Sequence, residues 1–147
     1  MLKVLSTILL AVMIVFGAEA SEEMKKIESL ILSEISSSLI GKKDRIKVYL
    51  TDNMKYIIKY SKIFIPVQEC DRAEIIIAGE DLETGNCRGK LMIVTRYYLI
   101  HKYTNAVAAF YWHKGRPNII FISERLKHFK ISIPKKYNKY IDSEKNL

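Results

Sequence analysis

The stretch AVAAFYWHKGRPNIIFIS, residues 106–123, constrains the fold more than any other part of the chain. Two runs rich in aromatic and β-branched residues flank a Gly and a Pro, which is the pattern of a β-hairpin. The expected strands are 106–113 and 118–123, with Lys114-Gly115-Arg116-Pro117 as the turn. Neither strand alternates between apolar and polar. Phe110 and Trp112 are expected on one face, and Val107 and Tyr111 on the other. Ile120 and Ile122 oppose Ile119 and Phe121 in the same way. A strand that is apolar on both faces lies inside a sheet covered on both sides, so helices must pack above and below it.

The remaining elements follow from periodicity and punctuation. In residues 21–40, Met24, Ile27, Leu30, Ile31 and Ile35 recur at three- and four-residue steps, which predicts a helix with that apolar face. Gly41 follows as its C′ residue, and the serines at 36, 37 and 38 are expected to loosen its last turn. RIKVYL at 45–50 alternates as a strand. Residues 54–64 read as a second helix ended by Pro66. AEIIIA at 73–78 and KLMIVT at 90–95 are short buried strands joined by the polar loop 79–89. Residues 96–105 read equally as a short helix or a covering loop. Helices are expected at 124–130 and 134–141, and 143–147 as a loose tail. This order predicts a single-domain α/β sandwich, with a mixed β-sheet covered by helices on both faces.

Residues 1–20, MLKVLSTILLAVMIVFGAEA, have the form of a secretory leader. Lys3 opens it, an apolar run follows, and Ala18-Glu19-Ala20 supplies a small-x-small cleavage site. The run is shorter than the ~20 residues that span a bilayer, which favours cleavage over an anchor. The expected mature chain, 21–147, is then exported. The whole chain carries a net charge of +8 from 24 basic and 16 acidic residues, unchanged by removal of Lys3 and Glu19, and in that compartment it points away from nucleic acid. It is compatible with peripheral association at the envelope or with acidic faces of other proteins. An even pair of cysteines, Cys70 and Cys87, suggests a disulfide under oxidising conditions. Each precedes an apolar run, so two adjacent strands entering side by side would bring them together. A redox-active pair or two metal thiolates are the alternatives, without a C-x-x-C or a third cysteine to support them.

Candidate sites are sparse. Arg88, Lys90 and Arg96 surround one predicted strand and form a possible anion-binding set. Glu80, Asp81, Glu83 and Asn86 lie in one loop, but their spacing fails the calcium-loop pattern. His101, His113 and His128 are scattered, with no metal-ligand spacing. Ser132 and Lys135 match S-x-x-K, the nucleophile motif of penicillin-interacting enzymes, without its companion motifs. Tyr97, Tyr98 and Trp112 belong to an aromatic-rich region, and at a strand end they would anchor a protein partner. No catalytic, cofactor or metal set emerges. The expectation is therefore a binding protein rather than an enzyme, with a small-anion solute-binding module and a small exported hydrolase as alternatives.

The stretch 70–141 resembles the YfiR-like small periplasmic proteins. The residues that carry the likeness are Cys70, the strands 73–78 and 90–95, the segment 106–112 with Gly115, Phe121-Ile122, Leu126, and Lys130-Ile131-Ser132. The chain departs from that pattern at Asn105-Ala106, at Ile122-Ser123-Glu124, and in having one cysteine pair. The resemblance implies a periplasmic regulatory module whose competent fold is supported by a disulfide. It also implies a partner, an inner-membrane signalling protein such as a diguanylate cyclase or sensor kinase, bound through its periplasmic part. A homodimer is a further possible assembly.

Overall fold

The computed structural model describes residues 2–83 and 87–147, with side chains from Ser21 onward. The predicted cleavage site and most of the leader's chemistry therefore lie outside the described side chains, as do Gly85 and Asn86 of the polar loop. The described residues form seven strands in one sheet: β1 (Ile46–Leu50), β2 (Phe64–Pro66), β3 (Ile75–Ala78), β4 (Met92–Val94), β5 (Ala106–His113), β6 (Arg116–Ile122) and β7 (Ile141–Asp142). Their spatial order is β2-β1-β3-β4-β5-β6-β7. Every neighbouring pair is parallel except β5 with β6, so the sheet is mixed. The helices are α1 (Leu2–Ile40), α2 (Ile57–Tyr60), α3 (Tyr97–Lys102) and α4 (Ser123–His128).

Both faces of the sheet are covered, as the two-sided hairpin requires. One face carries Ile46, Val48, Ile75, Ile77, Ile93, Phe110 and Phe121 beneath Leu32, Ile35 and Leu39 of α1. The other carries Ile76, Ala78, Met92, Val94 and Ala109 beneath Leu99 and Ile100 of α3. Val107 joins the α1 face, not the face shared with Tyr111. The reason is a register shift: Met92 pairs with Ala106 but Ile93 pairs with Ala108. Val107 is the extra residue of a bulge, and such a residue breaks the two-residue alternation. The hairpin turn is also shorter than the sequence suggests. Lys114 (φ 51°) and Gly115 (φ 73°) form it alone, both left-handed as a type I′ turn demands. Arg116 and Pro117 are the first residues of β6. Pro117 is tolerated because β7 covers only Phe121 and Ile122, which leaves the outer edge of β6 open at the proline.

The 21–40 helix forms, and Ile31 and Ile35 pack inward as expected, but its buried stripe is rotated away from Met24, Ile27 and Leu30. Glu28, Ser29, Leu32, Ile35, Ser36 and Leu39 are buried, whereas Met24, Ile27 and Leu30 are 39%, 41% and 56% exposed. Both stripes have helical spacing, so periodicity alone does not choose between them. The serines on the buried stripe are small enough to let the helix lie close to the sheet. The last turn does not loosen: the Gly41 N–H (φ 77°) bonds to the Ser37 carbonyl at 2.9 Å, and Ser36 is fully buried.

The predicted helix 54–64 gives way after Tyr60. Residues 64–66 instead become edge strand β2, with Ile46 opposite Phe64. Three bulky residues before a proline favour extended backbone, and burial of Phe64 on the sheet rewards it. Residues Lys135–Tyr140 form a 3₁₀ helix, not an α-helix, and β7 follows it.

Cys70 and Cys87 are joined by a disulfide, with Cα atoms 5.4 Å apart. Parallel pairing of β3 with β4 sets the starts of these two strands side by side, as their apolar runs imply. Closing a loop of this size stabilises by about 3 kcal/mol in the chain-entropy model.

The tail expected to be loose is docked. The buried Arg125 guanidinium donates from Nη1 to the carbonyls of Ile100, Tyr103 and Ala106 and from Nε to Glu144. The Glu124 carboxylate accepts from Ser143 Oγ (2.6 Å), the Glu144 N–H (3.0 Å) and Ser123 Oγ (3.1 Å). The Ser143 bond, then the backbone N–H groups, hold Glu124 at about 2, below the ordinary 4.5. A lowered folded-state pKa stabilises above the unfolded value, and that contribution is lost as pH falls through the folded value. The melting temperature of wild type is therefore expected to exceed that of Glu124→Gln at neutral pH. The gap should close as pH falls from about 4.5 to about 2. A gap that stays constant over that range in calorimetry would contradict this docking.

Candidate functional site

Open α/β sheets bind ligands beyond the carboxyl ends of their parallel strands, where the strand order reverses. Here the reversal lies between β1 and β3. The floor of that crevice is packed by the chain's own side chains, and above it lies an acidic cleft of about 780 Å³ lined by Asp52, Asn53, Glu80, Asp81, Glu83 and Tyr98. Thr51 Oγ1 accepts the Gly79 N–H at 2.9 Å, and Asn53 Nδ2 donates to the Gly79 carbonyl at 2.8 Å. A Cβ on Gly79 would stand 2.6 Å from Asn53 Oδ1 and 2.7 Å from Met54 Sδ, so the packing leaves room for glycine alone.

A second opening, walled by aromatic side chains, lies further along the same end of the sheet, beyond β4 and β5. A groove of about 750 Å³ is lined by Met24, Thr95, Arg96, Tyr97, Tyr111, Trp112 and His113. It wraps over the sheet's edge. Trp112 reaches it from the α1 face, Tyr111 from the α3 face, and α1 contributes Met24. Beside it Glu28 is only 6% exposed and accepts from Trp112 Nε1 at 3.1 Å. Burial, then the charge and hydrogen bond of neighbouring Glu28, push the Tyr56 phenol up from its ordinary value. Phe110 meets the Trp112 ring edge-on at 5.7 Å, and Tyr97 meets Tyr111 edge-on at 5.3 Å. Two aromatic side chains are thus fixed at a surface, one by a buried carboxylate and one by a neighbouring ring.

The sequence-derived partner residues divide. Tyr97 and Trp112 meet in this groove. Tyr98, 57% exposed, lines a separate cleft with Asp52, Asn53, Glu80, Asp81 and Glu83. The anion-binding set does not assemble. Lys90 and Arg96 stand at opposite ends of β4, on the order of 20 Å apart at about 3.3 Å per residue. The Lys90 ammonium donates to the Ala73 carbonyl at 3.1 Å. Arg88 lines a different hollow with Lys102, Asn105 and His128.

Ser132 and Lys135 are both exposed. The cap of the following 3₁₀ helix is Pro134 rather than Ser132. His101 and His128 meet the rings of Tyr97 and Phe129 edge-on. Among the described residues, no group of three or more His, Cys, Asp or Glu side chains is placed to hold a metal ion. Among them too, no helix is long and apolar enough to cross a membrane.

Glu28 and Tyr56 escaped the sequence reading, and Met24, expected on the buried face of the helix, lines the groove instead. Glu28 and Trp112 are 84 positions apart, and nothing local to either signals the bond. Tyr111 and His113 were within reach, since both share a strand with Trp112.

Comparisons with protein-family models, with curated proteins and with solved structures return no match.

Trp112→Phe keeps an aromatic ring but removes the indole N–H that Glu28 accepts, and is expected to destabilise the fold by about 1–3 kcal/mol. Arg96→Ala, at an exposed position, should stay within about 0.5 kcal/mol of wild type. Urea unfolding of both variants checks the pair. Equal effects would mean that the Trp112–Glu28 bond does not organise the groove.

Proposed function

We propose that this protein is an exported regulatory domain that acts by contact, restraining a membrane-bound signalling enzyme through the groove at the end of β4 and β5. The supporting observation is the fixed aromatic surface of Tyr97, Tyr111 and Trp112 beside the exposed Met24. Aromatic side chains held rigid at a concave surface lose little conformational freedom on binding, and such residues dominate the energetics of protein interfaces. The likeness to YfiR-like proteins supplies the class of partner: the periplasmic part of an inner-membrane diguanylate cyclase or sensor kinase.

Export is supported by the leader-like sequence of residues 1–20 and by the disulfide, a bond that persists in oxidising compartments. Cleavage after Ala20 would leave Ser21-Glu22-Glu23 at the start of the helix. A serine followed by two acids is a favourable N-terminus, because the hydroxyl caps free N–H groups and the carboxylates suit the helix dipole. The solute-binding alternative has less support, since its three cations are divided between sites.

The test is co-purification from envelope membranes of cells producing the tagged full-length protein. The expected partner is an inner-membrane protein carrying a cytoplasmic signalling domain. Tyr97→Ala should reduce its recovery by about ten-fold, the equivalent of 1.4 kcal/mol. Recovery of no such protein, or equal recovery with Tyr97→Ala, would overturn the proposal.

A further inference from the structure

We infer that the groove accepts an acidic segment of the partner that carries one apolar anchor residue; this rests on the contact reading above and specifies its chemistry. Met24, Tyr97, Tyr111 and Trp112 supply apolar walls for the anchor. The lining residues able to carry positive charge are Arg96 and His113, both exposed. Arg116 stands opposite His113 across the hairpin, and Lys114 occupies the turn between them. Of the acids near this rim, Glu28 and Glu22 are engaged, and Glu23, beside Met24 in the chain, is exposed. Glu28 is buried against Trp112 and Tyr56, and Glu22 is bound by Tyr60, Lys25 and Lys59.

Arg96 spends one donor, Nη1, on the Thr95 carbonyl at 3.0 Å. A guanidinium has five N–H donors in a planar fork suited to a carboxylate, so most of its capacity remains. The charge changes sign across α3. On the Tyr98 side the cleft is lined by Asp52, Glu80, Asp81 and Glu83, of which Asp52 pairs with Lys55 and Asp81 with Lys102. An acidic segment is attracted by Arg96 on the Tyr97 side and disfavoured by Glu80 and Glu83 on the Tyr98 side. A lipid surface would engage a broad basic face, whereas this is a concave aromatic groove with a cationic rim.

The experiment places a photo-reactive phenylalanine analogue at Tyr97 in the full chain, irradiates intact cells, and maps the adduct by mass spectrometry. The expected adduct lies on a partner segment with at least two Asp or Glu within about one helical turn of an apolar residue. Arg96→Glu should lower the yield by about ten-fold or more, because like charges then face each other. Reversing the mapped acidic residue to Lys should restore the yield with Arg96→Glu. Arg116→Glu, further from the walls, provides a second charge change and should lower the yield less.

An adduct on a segment without acids, on lipid or on a second copy of this chain would overturn the inference. So would an Arg96→Glu yield equal to wild type in a protein of unchanged melting temperature. The absence of any protein adduct would overturn the contact reading itself, and this inference with it.

Discussion

Ile75, Ile76 and Ile77 carry no solvent-exposed surface, and they point alternately to the two faces of the sheet. Each such side chain stabilises the fold by about 1.5–3 kcal/mol when fully buried, but only if both faces are closed. That requirement organises the molecule. Residues 28–39 of α1 close one face; α3, the disulfide and the docked tail close the other. The edges are finished by proline, Pro66 on β2 and Pro117 on the open part of β6, which blunts pairing with foreign strands.

The same covering determines where a surface is left open. α1 crosses the sheet with Leu32, Ile35 and Leu39 inward, so its earlier turn ends beside the top of β5 with Met24 exposed. Between β1 and β3, Thr51 and Asn53 pack over Gly79 and leave an acidic cleft above them. The aromatic groove falls one step along, where the strand ends present Arg96 and Trp112 and the short α3 presents Tyr97. The Trp112–Glu28 bond links the helix to this strand end and fixes the wall of the groove.

Sequence was most informative where burial is two-sided. The runs IIIA, MIV and AVAAF have no polar alternation, and that alone fixes covered strands and an α/β layering. Cys70 and Cys87 were legible because both precede such runs. Elements whose identity depends on remote contacts were not. Phe64 becomes a strand residue because Ile46 lies beside it, and Val107 changes face because of a bulge against Met92 and Ile93. The choice of stripe on α1 turns on the small serines, Ser29 and Ser36, which a hydrophobic pattern does not weigh. At the groove, Tyr97 and Trp112 were legible as aromatics near a strand end. Glu28 was not, since a single acid in an amphipathic helix reads as a solvated one.

Native-state hydrogen exchange tests the central claim most directly: one sheet closed on both faces, most deeply at β3. Amides of Ile75–Ala78 are expected to be the slowest in the chain, opening only with global unfolding, and those of Phe64 and Ile65 and of the Lys114-Gly115 turn to exchange far sooner. Amides of β3 that exchange as fast as the edge strand or the turn would mean that one face is open, and would contradict the architecture on which the groove depends.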